Sequence, residues 1–331
     1  MEYRDAWLLD VFTGRQAYSD RSRPARLERR FIAAAAQTWF INQDILDWHA
    51  ARYPAVADRF RLVPNGWDPE LLGLNLDDAA GSDHPDGPGS DGSGSDGPGS
   101  AGPGCGQPGS ARSGSDRHGS VGVGPGGLAA IGSRGQPLTF GYLGTISANA
   151  PMPEVVAGWR AAKAAGLLPP DSVLKLGGYL GYFGGSPDPS RDPVAAAVLG
   201  AEADGVEYVG PVDKAAVGAF YGSLDALVLP IKAGRYVTSG KVYEYIATGK
   251  PIVSIHPPEA GASRVLEGYP LWAPVADMTA DQAATAFGKG ADLVRGLTPE
   301  LTAEALAFGE RFTRQRQLGP AIDGLANLLP R

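Results

Sequence analysis

Short apolar runs bounded by glycine and proline recur along the second half of the chain, each followed by a stretch whose apolar residues return every three or four positions. Runs of the first kind predict strands covered on both faces of a parallel sheet, and stretches of the second kind predict the helices that cover them. On this basis strands fall at 138–143, 173–176, 206–209, 226–229 and 252–255, with helices at 151–165, 214–221, 241–247 and 259–266. In the first of these helices Val155, Val156, Trp159 and Ala162 share one side; in the third, Val242, Tyr245 and Ile246 do. Alternating strand and helix signals are the pattern of βαβ units, so a Rossmann-like α/β domain is expected over 138–297. The tail, 279–297 and 299–329, is Ala-rich, helical by its period and broken by Pro299 and Pro320, which predicts C-terminal helices over 298–331.

The front of the chain repeats the pattern in shorter form: an Arg-rich helix at 26–36, a strand at 38–41, a helix at 43–53 and a strand at 60–63. An α/β domain normally takes about 100 to 150 residues to build its core, so 1–70 is expected to form only a partial domain, and the chain looks truncated at its start. Between the two lies a different composition. Gly, Ser, Pro and Asp supply 37 of the 47 residues in 81–127. Such a segment has almost nothing to bury against its ordering entropy, which predicts a disordered insert inside a linker at 71–137. A flexible tether and a tolerated loop expansion both fit it; loop length costs little free energy, which favours the expansion. Cys105 and His118 fall inside this insert.

Composition narrows the chemistry. A net charge of -7 argues against a nucleic-acid partner, which selects basic surfaces. One cysteine excludes an intramolecular disulfide and, with four histidines, leaves no metal cluster at ligand spacing. No apolar stretch approaches the roughly 18 to 20 residues of a membrane span, and the first residues lack a basic start with a long apolar core. The expected location is cytoplasmic, with peripheral membrane contact left open.

The richest stretch is 223–254, SLDALVLPIKAGRYVTSGKVYEYIATGKPIVS, in which two buried strands flank the start of a helix. Ser239 and Gly240 precede that helix and Lys241 stands in its first turn, an arrangement whose backbone N–H groups suit an anion such as a diphosphate. Three strings then resemble one family: residues 239–252, SGKVYEYIATGKPI; residues 62–68, LVPNGWD; and residues 138–145, LTFGYLGT. They are similar to the nucleotide-binding helix, the domain-boundary turn and the first donor-domain strand and glycine loop of retaining, group 1 (family 4-like) glycosyltransferases. The resemblance implies a GT-B-like α/β fold with one complete donor domain, a partial acceptor-side domain and a terminal helix that crosses back to it. It also implies a nucleoside diphosphate sugar as donor substrate with no other cofactor, and a hydroxyl acceptor such as a glycan, a lipid-linked sugar or a small molecule.

Candidate donor-binding residues follow. A carboxylate one turn into the helix accepts both hydroxyls of a ribose, the role the resemblance implies for Glu244. Lys241, with the N–H groups of Ser239 and Gly240, is expected to neutralise the diphosphate. Gly144, beside Thr145, follows a strand and lets a backbone approach phosphates, although it reads equally well as a turn residue. Gly177, Gly178, Val209 and Gly210 end strands at the same sheet edge. The family's second glutamate, eight residues before Glu244, is Tyr236 here, with Arg235 beside it as a substitute phosphate contact; the loop 144–149 lacks the family's basic residues. Asn65-Gly66 reads as a tight turn and hinge. His49, on a partly apolar helix, reads as packed or solvated rather than catalytic, and Asp5 as a residue lining the cleft.

The implied reaction is sugar transfer with retention and without a metal, the charge on the departing diphosphate being stabilised in the transition state. Neither a catalytic residue nor a general base is assigned by the sequence. Rivals are a truncated donor-binding remnant and a nucleotide-sugar 2-epimerase. A dehydrogenase is weaker, since no G-x-G-x-x-G follows a strand and opens a helix.

Overall fold

A computed structural model describes residues 1–3, 7–72, 135–181 and 188–327. Asp5, Cys105, His118 and the whole of 81–127 lie outside them.

The N-terminal part contains strand β1 (Glu2–Tyr3), a hairpin of β2 (Leu9–Asp10) and β3 (Arg15–Gln16), helix α1 (Arg23–Ala34), strand β4 (Thr38–Phe40), helix α2 (Gln43–Arg52) and strand β5 (Phe60–Leu62). β1, β4 and β5 form a parallel sheet in the order β1-β4-β5, while β2 and β3 pair antiparallel. Helix α1 starts three residues before the expected position because Ser22 caps it, its Oγ accepting from Ala25 N–H at 3.3 Å, with Pro24 in the first turn. Asn42 caps α2 in the same way, its Oδ1 accepting from Asp44 N–H at 2.8 Å. The small core is Leu9, Ile32, Phe40, Ile45 and Phe60, with Phe40 and Phe60 edge to face at 5.0 Å. His49 is fully buried against Phe40, its Nδ1 2.7 Å from Ile45 O and its Nε2 3.8 Å from Glu28, so of the two expected placements it takes the packed one.

The larger part follows the alternation seen in the sequence: β6 (Thr139–Leu143), α3 (Met152–Ala164), β7 (Val173–Gly177), α4 (Pro193–Leu199), β8 (Val206–Gly210), α5 (Val217–Gly222), β9 (Ala226–Pro230), α6 (Gly240–Ile246), β10 (Ile252–Ile255), α7 (Gly261–Leu266), β11 (Trp272–Pro274) and α8 (Ala280–Arg295). The strands form one parallel sheet in the order β11-β10-β9-β6-β7-β8. Every residue of β9 is buried, as its unbroken apolar run requires. One core cluster holds Phe140, Trp159 and Phe287, whose rings meet edge to face at 5.3 to 5.6 Å. A second holds Leu227, Leu229, Tyr245 and Ile246.

Two helices close the described chain, α9 (Pro299–Glu310) and α10 (Arg314–Ala326). The expected break at Pro320 is absent: α10 runs through it, losing one N–H donor, and the interruption falls at 311–313 instead. There the chain meets the N-terminal part again. Trp67 N–H donates to Phe312 O at 3.0 Å, Arg314 N–H donates to Trp67 O at 2.8 Å, and Trp67 Nε1–H donates to Gly309 O at 2.8 Å. Residues 63–66 form no turn. A Cβ on Gly66 would lie 2.7 Å from Arg314 Cα, so this glycine serves close backbone approach, which corrects the expected tight turn.

Candidate functional site

In a doubly wound sheet the crevice forms where the strand order reverses, outside the carboxyl ends of the two strands that leave in opposite directions. Here those strands are β6 and β9, paired at Phe140–Ala226 and Gly141–Leu227. Gly144 and Thr145 leave β6 at this point, and the loop after β9 carries Arg235, Ser239 and Gly240 to the start of α6. The topology therefore converges on the segments singled out by their sequence.

Glu244 stands in the second turn of α6 at the centre of a polar triad. Its Oε2 accepts from Tyr221 Oη at 2.7 Å and from Lys241 Nζ at 2.8 Å, and Lys241 also donates to the Tyr221 oxygen at 3.3 Å. The Glu244 and Lys241 side chains are 17% and 26% exposed, so the pair opens to solvent. Burial, then the neighbouring Tyr245 and Glu244, push the Tyr221 hydroxyl far above the usual phenol range, which keeps it a donor. The ammonium of Lys241 is thus engaged by Glu244, a partner the sequence did not indicate.

At the mouth of α6, Ser239 Oγ accepts from Lys241 N–H at 3.3 Å and uses one of the amides expected to face an anion. Gly240 is exposed, with nothing within 4 Å of where its Cβ would be. Gly144 is differently placed. Its N–H donates to Gly177 O at 3.0 Å, and a Cβ there would stand 2.4 Å from the Tyr142 hydroxyl. Gly178, at φ +120°, would put a Cβ 1.9 Å from Gly144 O. These glycines let strand ends close on each other, and the Gly144 amide is committed to the sheet edge. The exposed Thr145 accepts from Tyr142 Oη at 3.2 Å through its carbonyl. Val209 and Gly210 end β8, two strands from β6; Val209 is partly exposed, and Gly210, at φ +75°, accepts from Gly178 N–H at 2.7 Å.

Arg235 turns toward the N-terminal part, its guanidinium 3.9 Å from Asp44 and its carbonyl accepting from Asn42 Nδ2 at 2.9 Å. Asn42 Nδ2 also donates to Thr238 Oγ1 at 2.8 Å, and Arg264 pairs with Asp44 at 2.7 Å. Tyr236 packs its ring 2.9 Å from where a Cβ on Gly14 would be, so the position of the family's second glutamate is occupied by a packing contact. Tyr221, Asn42, Asp44 and Arg264 were not identified from sequence; Asp44 and Arg264 lie 220 positions apart, and no local pattern links them. Among the described residues no group of three His, Cys, Asp or Glu side chains forms a metal site, and no helix is long and apolar enough to cross a membrane.

No protein-family model matches the chain, and no curated protein matches it in sequence. Solved structures do match. The Anabaena protein HepE in complex with UDP is 12% identical at a TM-score of 0.56, covering 92% of this chain and 67% of its own. Sucrose-phosphate synthase from Thermosynechococcus elongatus is 15% identical at 0.53, covering 94% and 63%. The E. coli trehalose-6-phosphate structure bound with UDP-2-fluoro glucose is 13% identical at 0.57, covering 94% and 65%. The chain spans about two thirds of the length of these structures. At such identities the likeness is one of fold, and the fold of this chain is GT-B, the architecture its sequence motifs resemble.

Proposed function

We propose that the chain binds a nucleoside diphosphate sugar at the crevice between β6 and β9 and transfers its sugar to a hydroxyl acceptor. The observation that carries this reading is Glu244: a half-buried carboxylate at the switch point, held through Oε2, with nothing among the described residues donating to Oε1. A carboxylate so held suits the paired hydroxyls of a ribose. Nucleotides in structures of the same fold, UDP in HepE and UDP-2-fluoro glucose in the E. coli structure, support a uridine nucleotide as the first donor to try.

In this reading the ribose binds at Glu244 and the diphosphate lies over the open surface at Gly240. Lys241 then shares its charge between Glu244 and the phosphates. Donors fixed before the reaction are worth most where charge appears only in the transition state, here on the departing diphosphate. Transfer with retention and without a metal belongs to the same proposal, as do the nine donor-site residues Gly144, Thr145, Val209, Gly210, Arg235, Ser239, Gly240, Lys241 and Glu244. Of these, Gly144 contributes shape rather than its amide, which Gly177 occupies.

A second reading is a protein that binds the donor without turning it over. It is favoured by the short β1-β4-β5 sheet, beside which Trp7, Phe12, Tyr18 and Phe31 stand at least two-fifths exposed. Thermal unfolding with millimolar UDP, GDP, ADP and CDP tests both, since a ligand of the native state raises the melting temperature. The proposal expects one of them, UDP first, to raise it by several degrees. No shift with any of the four overturns it, and a shift without consumption of the matching sugar nucleotide favours the second reading.

A further inference from the structure

We propose that Tyr221 is a positioning residue for ribose recognition: its hydroxyl locks the Glu244 carboxylate so that Oε1 faces the vicinal hydroxyls of a bound nucleotide. This inference rests on the donor-binding reading above and adds to it a residue from a different helix.

Tyr221 lies near the end of α5 and is 2% exposed. Its ring meets Tyr245 edge to face at 5.5 Å, and Tyr245 is itself fully buried, so the ring is fixed before any ligand arrives. From that ring the hydroxyl donates to Glu244 Oε2 at 2.7 Å. Lys241 Nζ closes the triangle, donating to the same carboxylate oxygen and to the phenol oxygen. All three contacts fall on the Oε2 side.

A glutamate has three side-chain torsions, and an unanchored one must be ordered when its ligand binds. Recognition of two adjacent hydroxyls by one carboxylate depends on orientation, so fixing the carboxylate in advance removes that cost from the binding step. Lys241 cannot do this alone: its ammonium ends a flexible stem and is partly exposed, whereas the phenol is rigid and buried. The anchor therefore acts chiefly on ribose discrimination; its one link to the phosphate side is the longer, 3.3 Å contact with Lys241.

The test is calorimetric titration of the full chain and its Tyr221→Phe variant with UDP and with 2′,3′-dideoxy-UDP. Tyr221→Phe keeps the ring and removes the hydroxyl. The variant should bind UDP about five- to tenfold more weakly and dideoxy-UDP within about twofold of wild type. Equal weakening toward both nucleotides would mean a structural role only, and unchanged UDP binding would mean no role; either overturns the assignment. Wild-type protein that discriminates against dideoxy-UDP while the variant does so equally well also overturns it and leaves donor binding standing. Failure of wild type to bind UDP removes the donor reading for this nucleotide, and the assignment with it.

Discussion

The six-stranded part and the three-stranded part of this molecule use the same βαβ logic with different amounts of material. In the larger one, sheet order β11-β10-β9-β6-β7-β8 is covered on both faces, and separate clusters around Trp159 and around Tyr245 hold it. In the smaller one, three strands of two or three residues go with a core cluster of five apolar side chains, while Trp7, Phe12, Tyr18 and Phe31 of the same part remain partly exposed. The crevice residues belong to the larger sheet, and the smaller part touches the loop that carries them through Asn42, through Asp44 and through Gly14 against Tyr236. Rigid placement of the Glu244 carboxylate thus coincides with the region that buries enough apolar surface to fix it.

Core truncation gives the largest expected effects. Trp159→Ala should cost about 3 to 5 kcal/mol and lower the urea midpoint of the whole chain. Phe40→Ala should cost up to about 3 kcal/mol, read in amide exchange as faster opening of the three-stranded part with the six-stranded part unaffected. If Phe40→Ala and Trp159→Ala produce the same global transition, the two parts are one cooperative unit and the contrast fails.

Glu244→Ala comes next. It leaves the Tyr221 hydroxyl buried without its carboxylate acceptor, so it should cost about 1 to 3 kcal/mol as well as weakening nucleotide binding. A helix glutamate in the solvent would cost almost nothing, so chemical denaturation separates the two placements.

Lowering the pH offers a smaller handle. His256, just after β10, is 2% exposed, and burial lowers its pKa from 6.5, opposed by its contact with the Pro257 carbonyl and, less, by Glu259. Above about pH 6.5 both states bind the same number of protons; below it the unfolded chain takes up a proton that the buried ring does not. Stability should therefore fall as pH drops from about 6.5 toward the folded-state value, and His256→Gln should flatten that slope in melts between about pH 7.5 and 5.5. An unchanged slope would remove His256 from the account. Smallest of all, Asp44→Asn breaks the pairs to Arg264 and Arg235, both about half-exposed, and should cost less than about 1 kcal/mol, fading with salt.

Legibility cut across that division: α1, β4, α2 and β5 of the smaller part were expected within a few residues of where they lie, as were most elements of the larger part. Strands β6 to β10 and helices α3, α5, α6 and α8 stood out because an apolar run between Gly and Pro, or a 3.6-residue period, is a local signal. β1, the β2–β3 hairpin and β11 are two or three residues long and carry no period. Helix α4 was readable and missed: Asp192 followed by Pro193 is a cap signature, and Asp192 Oδ1 accepts from Val194 N–H at 2.9 Å. Within the candidate site, Glu244 and Lys241 were singled out through their helix. Tyr221 carries no mark in the sequence, because its role depends on α5 lying beside α6, a fact of packing alone.

The most direct test of the account is a crystal structure of the chain with UDP. The account predicts the ribose hydroxyls on Glu244 Oε1, the Tyr221 hydroxyl still on Oε2, and the diphosphate against Gly240. UDP bound away from the β6–β9 crevice, or bound there with its ribose turned from Glu244, would contradict it.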